Sequence, residues 1–179
     1  MTKNVLVIST SMRKGGNSDT LADSFAKGAE RQGNTVEKIS LAGKKIGFCI
    51  GCLSCQKTQK CVPKDDAAEI VEKMKNADVI AFATPIYYYE MAGQMKTLLD
   101  RANPLYPSDY KFRDIYLLAS SAEDDNAAMD RAVIGLQGWI ECFPKCGLKG
   151  VVRATGVEAV GDIQGKPVLN EAFEMGQNV

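Results

Sequence analysis

Val79-Ile80-Ala81-Phe82-Ala83 is an unbroken apolar run with no polar alternation. A strand with one wet face alternates, whereas a continuous run of this length marks a strand buried on both faces, as in a parallel sheet covered by helices. The flanks carry the other period. Upstream, Asp66 and Glu69 have capping-box spacing, and Ala67, Ile70, Val71 and Met74 trace one apolar helix face. Downstream, Ala92, Met95, Leu98 and Leu99 mark a second helix, stopped before Pro104.

The same rhythm extends in both directions. Val5 to Ser9 reads as the first strand, and Leu21, Phe25 and Ala29 give a helix of about four turns ending near Gly33. Val36 to Leu41 has the mixed polarity of an edge strand. Ile115 to Ala119 is the fourth strand, and Met129, Ala132, Val133, Leu136 and Ile140 place a helix after it. Val151 to Val157 is the predicted fifth strand, and Val168, Ala172, Phe173 and Met175 mark a short closing helix between Pro167 and Gly176. Five strands alternating with helices predict an α/β fold, a flavodoxin-like doubly wound five-stranded parallel sheet of order 2-1-3-4-5, although spacing alone admits other orders. The 179 residues suit a single domain, 1–179, with an irregular Cys-rich insertion at about 47–63.

Composition narrows the function. The 22 basic residues cancel the 22 acidic ones, so neither nucleic acid nor a membrane surface is an expected partner, and small-molecule chemistry is the default. The apolar run Val5 to Ile8 is too short for a signal sequence and no segment is long enough to span a bilayer, which predicts a cytoplasmic protein. In that reducing setting the six cysteines favour ligand or redox roles over disulfides. Histidine is absent, which weakens hydrolase readings built on a Ser-His or Cys-His pair.

With the order 2-1-3-4-5, ligands bind beyond the carboxyl ends of strands 1 and 3. Three loops lie there: Thr10 to Ser18, Thr84 to Met91 and Ser120 to Asp125. The first combines hydroxyls, Gly15, Gly16, Arg13, Lys14 and the start of a helix, a set suited to phosphate. It matches neither G-x-G-x-x-G nor G-x-x-x-x-G-K-[ST], and its plain alternative is a polar loop capped by Asn17 or Ser18. The second loop exposes Tyr87, Tyr88 and Tyr89 where a core strand emerges, flat aromatic area suited to a planar ring or to an interface. Together they frame a site for a phosphate-bearing heterocycle such as FMN.

Cys49, Cys52, Cys55 and Cys61 lie within thirteen residues, CIGCLSCQKTQKC. Four thiolates satisfy a [4Fe-4S] cluster, and the compactness is near that of the ferredoxin run, with a longer last gap. Tetrathiolate zinc, which more often uses two separated C-x-x-C knuckles, ranks lower, and unligated thiols on a relic loop remain the plain alternative. Cys142 and Cys146 read as buried packing residues.

At this point the chain resembles a known family. The first loop and the stretch TPIYYYEMAGQMKTLLDR are similar to the phosphate and isoalloxazine loops of NADPH-dependent FMN reductase-like proteins of the flavodoxin superfamily. The cysteine segment resembles that of their iron-sulfur flavoprotein branch. The resemblance implies that Ser9, Ser11, Arg13, Asn17 and Ser18 surround the FMN phosphate. It likewise places Pro85, Ile86, Tyr87, Tyr88 and Tyr89 at the flavin ring, with Ser120 and Ser121 closing the site. Met12, where proline is frequent, and a third loop without the usual glycines depart from the pattern. The implied activity is electron transfer from NAD(P)H through FMN to a quinone, flavin or similar acceptor, the flavin carrying the chemistry with no catalytic side chain required. The alternative is an electron-transfer protein in which a [4Fe-4S] cluster on the four cysteines passes electrons between a ferredoxin-like partner and FMN. A homo-oligomer is a family expectation.

Overall fold

The computed structural model describes residues 2–179. Among these residues six strands form, β1 (Asn4–Ser9), β2 (Thr35–Ser40), β3 (Val79–Tyr87), β4 (Glu90–Met91), β5 (Asp114–Ser120) and β6 (Gly147–Ala154). Five pair in parallel in the order β2-β1-β3-β5-β6, and β4 folds back antiparallel on the end of β3. Counting the parallel strands alone, this is the expected 2-1-3-4-5 order. The helices are α1 (Asn17–Arg31), α2 (Ser54–Thr58), α3 (Ala67–Asn76), α4 (Gly93–Arg101), α5 (Asp130–Ile140) and α6 (Val168–Gln177).

The apolar run of β3 sits at the centre of the sheet, paired with β1 on one side and β5 on the other. Its side chains divide between two cores, because successive residues of a strand face opposite ways. Ile80 and Phe82 join Leu6, Ile8, Ile115 and Leu117 beneath α3, α4 and α5. Val79, Ala81 and Ala83 join Val5, Val7 and Leu118 beneath α1 and α6. On the second face α1 and α6 pack closely against each other through glycines. A Cβ at Gly28 of α1 would overlap the Phe173 carbonyl, and one at Gly176 of α6 would overlap the Phe25 carbonyl.

Three sequence expectations need correction. The last strand begins at Gly147 and ends at Ala154, not Val157, so residues 155–166 are free to form a loop. Its start was hidden because Gly147 to Gly150 carries little apolar signal, and a register shift beside Ile115 and Tyr116 admits an extra residue there. The capping box does not form. Asp66 has helical backbone angles and makes no side-chain cap, and its neighbour Asp65 accepts the Ala67 N–H at 3.1 Å instead. The Cys-rich segment, predicted to be irregular, contains α2, bounded by Leu53 and Gln59 in left-handed conformations. Among the described residues no helix is long and apolar enough to cross a membrane.

Candidate functional site

The carboxyl ends of β1, β3 and β5 open onto one crevice. The Thr10 N–H donates to Ala83 O at 2.8 Å, which keeps the first loop attached to β3 as it leaves the sheet. Ser11 Oγ then accepts the Arg13 N–H and donates to Arg13 O, both at 3.1 Å, and the Gly16 N–H donates back to Arg13 O at 3.0 Å. This tight turn leaves no room at Gly16, where a Cβ would stand 3.0 Å from Arg13 O and 3.1 Å from Ser11 Oγ. Gly15 has φ +68° and its N–H donates to Asp19 Oδ2 at 3.0 Å. Burial works to raise the Asp19 carboxyl, but bonds from Lys38 and the Gly15 N–H outweigh it and hold Asp19 below the ordinary carboxylate range. Gly16 is the N-cap of α1 and supplies no side-chain cap, so the first N–H groups of the helix and the positive end of its dipole remain available to an anion.

The second loop is tighter than an aromatic loop suggests. Ile86 pairs with Met91 and Tyr87 with Glu90, leaving a two-residue hairpin of Tyr88 and Tyr89, with φ of 51° and 65°. Positive φ at both central positions is the habit of Asn-Gly hairpins and is costly for tyrosine. Backbone strain of this kind concentrates at functional sites. Thr84 ties the hairpin to α4, its Oγ1 accepting the Ala92 N–H at 3.0 Å. Tyr88 is 98% exposed, and Tyr87 and Tyr89 are about half exposed, at 48% and 50%.

The third side combines the loop after β5 with residues 155–166, which the sequence reading missed. The Val157 N–H donates to Ser121 O at 2.9 Å and the Gly156 N–H to Glu123 O at 3.0 Å. Asn17 crosses from α1, donating from Nδ2 to Ala159 O at 2.9 Å and accepting the Ile163 N–H at 3.3 Å. Arg13 donates to Glu158 O at 3.1 Å. The available signal was the glycine spacing: Gly156, Gly161 and Gly165 all take positive φ, which marks turns rather than strand.

These walls enclose two adjoining clefts, about 240 and 520 Å³, which share Ile86, Tyr87, Ala122 and Glu158. Ser11, Arg13, Asn17, Ser18, Pro85, Ile86, Tyr87 and Ser120 line the first, and Tyr88, Tyr89 and Ser121 extend the second. Ser9 does neither. It is fully buried beneath the loop, beside Asp19, and its hydroxyl has no partner of good hydrogen-bond geometry. Asn17 has both polar ends engaged by the 155–166 loop, so toward a ligand it offers only its backbone N–H. An uncapped helix end, a glycine cradle closed to any Cβ and a partly exposed aromatic wall fit a phosphate joined to a flat ring.

A separate cavity, about 660 Å³ and larger than either cleft alone, is lined by Cys49, Cys52, Cys55, Cys61, Arg101, Asn103 and Cys142, among others. Cys49 and Cys52 are exposed, Cys61 is partly covered and Cys55 is buried. Among the described residues no three or more Cys, Asp or Glu side chains are grouped so as to hold a metal ion. Cys52 is held below the ordinary thiol range by the Ser54 backbone N–H at the start of α2. Asn103 Nδ2 donates to Cys55 Sγ at 3.1 Å and Arg101 Nε to Cys61 Sγ at 3.2 Å. Cys142, expected in the core, is exposed at this cavity because α5 ends at Ile140 and the chain turns outward. Cys146 is partly buried against the core, and burial pushes its thiol up to about 11.

Residues 3–146 match the family described as NADPH-dependent FMN reductase. The chain is 38% identical over 94 residues to an iron-sulfur flavoprotein of Archaeoglobus fulgidus, covering 52% of this chain and 43% of that protein. It is 41% identical over 101 residues to an iron-sulfur flavoprotein of Methanocaldococcus jannaschii, covering 56% and 52%. The match thus spans about half the length of these relatives. The NAD(P)H:quinone oxidoreductase of Methanothermobacter marburgensis shares the fold, with a TM-score of 0.73 over 99% of both chains at 17% identity. With the family match running from the start of β1 to the turn before β6, and the crevice standing at the switch point between β1 and β3, the chain belongs to the NADPH-dependent FMN reductase family.

Proposed function

We propose that the protein is an FMN-dependent oxidoreductase that takes electrons from NAD(P)H and delivers them to a quinone, a flavin or a similar small acceptor. The observation that carries this reading is the continuous crevice joining the uncapped start of α1 to the strained tyrosine hairpin. FMN, when bound, supplies a ring that accepts a hydride equivalent and passes the electrons on. The protein's part is binding and orientation. The Asn17 and Ser18 N–H groups, the Ser11 and Ser18 hydroxyls and Arg13 would hold the phosphate, with Ser9 supporting the floor beside Asp19. Pro85, Ile86 and Tyr87 would border the ring on one side and Ser120 and Ser121 on the other, while Tyr88 and Tyr89 screen it from water. A chain without histidine suits this chemistry, because no side chain has to act as general base.

A second reading adds a one-electron relay, an iron-sulfur cluster on Cys49, Cys52, Cys55 and Cys61 that exchanges electrons with a ferredoxin-like protein. It is favoured by the lining of one cavity by all four cysteines and by N–H groups already directed at two of the sulfurs. Four thiolates are the donor set of such a cluster, and all four cysteines line the one cavity. In either reading residues 1–179 act as one cytoplasmic domain with 47–63 as an insertion, and the exposed tyrosines give a homo-oligomer a surface to use.

Anaerobic purification followed by an absorbance spectrum tests both. Flavin bands are expected, with a broad shoulder if the cluster forms, and Cys52→Ser should remove only the shoulder. A colourless protein that FMN cannot reconstitute would sink the proposal. Rapid bleaching of the flavin by NAD(P)H alone supports the reductase, whereas bleaching only by reduced ferredoxin favours the relay.

A further inference from the structure

We infer that Arg101 and Asn103 are positioning residues of the four-cysteine site, whose N–H bonds to Cys61 and Cys55 commit it to a thiolate-bound group of net negative charge; this rests on the relay reading above. Arg101 closes α4 and its side chain is fully buried, an uncommon place for a guanidinium. Each of its five N–H donors has an acceptor. Nη1 meets Gly47 O at 2.7 Å and Asp65 Oδ2 at 2.6 Å, and Nη2 meets Asp65 Oδ1 at 2.9 Å and Pro63 O at 3.3 Å. The fifth, on Nε, goes to the sulfur of Cys61 at 3.2 Å.

Four of those bonds explain why the side chain is buried. Gly47 stands at the start of the cysteine segment and Pro63 and Asp65 at its end, so Arg101 staples both ends to α4. The staple alone does not account for the fifth bond, nor for Asn103, which lies two residues further on and donates to Cys55 Sγ at 3.1 Å. A neutral thiol is a weak acceptor, while a thiolate makes a charge-assisted bond. Two donors on two different cysteine sulfurs, one of them cationic, therefore favour ligands that carry negative charge. Such bonds stabilise a reduced iron-sulfur cluster more than an oxidised one, because the added electron increases the charge on the sulfurs.

The experiment is a one-electron reductive titration of the protein reconstituted with iron and sulfide, dithionite supplying the electron, followed optically. Asn103→Ala is compared with wild type, and Asn103→Leu, which keeps the volume, is measured alongside. The expected result is unchanged iron and sulfide content with the reduction equilibrium constant lowered about tenfold, about 59 mV for one electron. A purely structural role would alter thermal stability or cluster content and leave the potential where it was. Fully loaded variants with the wild-type potential would overturn the inference and leave the relay reading intact. A wild-type protein that assembles no cluster would overturn both.

Discussion

Replacing Asp65 by asparagine isolates the ion pair on which the cysteine segment closes. The carboxylate accepts four bonds, from Arg101 Nη1 and Nη2 at 2.6 and 2.9 Å, from the Gly47 N–H at 2.8 Å and from the Ala67 N–H at 3.1 Å. Asparagine puts an NH₂ group where one of these oxygens stood, facing donors, and leaves the buried Arg101 without its counter-charge. Breaking one side of a buried pair costs about 3–5 kcal/mol, and the 15% exposure of the Asp65 side chain places the expectation near the lower figure, about 3 kcal/mol. At about 2–4 °C per kcal/mol for a chain of this size, the melting temperature falls by about 6–12 °C. Burial acts to raise the Asp65 carboxyl, but Arg101 and the two backbone N–H groups prevail and hold it below its ordinary value. A depressed folded value means that the stabilisation is fully present above the unfolded carboxyl value of about 3.9 and is lost as the pH falls through the folded one. Urea unfolding followed by circular dichroism should therefore show a constant gap between wild type and Asp65→Asn from pH 5 to pH 8, closing below about pH 4. Equal urea midpoints at pH 7, or a gap that persists undiminished in acid, would refute the reasoning. Asp65→Leu combined with Arg101→Met should recover part of the loss, because no charge is then stranded.

Three further outcomes follow from the geometry. Gly28→Ala places a methyl group against the Phe173 carbonyl of α6, so an overpacking cost of about 1–3 kcal/mol exceeds the gain of up to about 1 kcal/mol in helix propensity, and thermal melting should report a less stable protein. Tyr88→Asn relieves a left-handed tyrosine at a 98% exposed position and should stabilise by about 1 kcal/mol in urea titration; a loss of stability would mean that the ring packs on something. Gly16→Ala drives a Cβ toward Arg13 O and Ser11 Oγ, deforming the turn below α1, and should weaken FMN binding at least tenfold by fluorescence titration while barely moving the melting temperature of the FMN-free protein.

Much of the crevice was legible because its parts lie close together in sequence. The loop after β1 joins hydroxyls, glycines and a helix start within nine residues, and the tyrosines follow the central strand directly. What escaped was contributed from far along the chain. Glu158 and Val160 reach the crevice only because β6 stops at Ala154 and Asn17 draws the following loop across the sheet, a link over more than 140 residues. Asn17 also shows a residue type read as a ligand being consumed by the scaffold. Cys142 is exposed for a similar reason, since local sequence does not say which way the chain turns after α5.

The chain's local patterning specified the sheet and its two cores, because hydrophobic period is a local property and β3 can be apolar throughout only if covered on both faces. It also announced the phosphate-like loop, the aromatic loop and the four cysteines. It took the packed fold to make Tyr88 and Tyr89 a strained two-residue hairpin, to put Ser9 beneath the crevice rather than in it, and to aim Arg101 and Asn103 at cysteine sulfurs forty or more residues away. Side-chain direction and long-range hydrogen bonds depend on which elements pack together, and no local pattern encodes that.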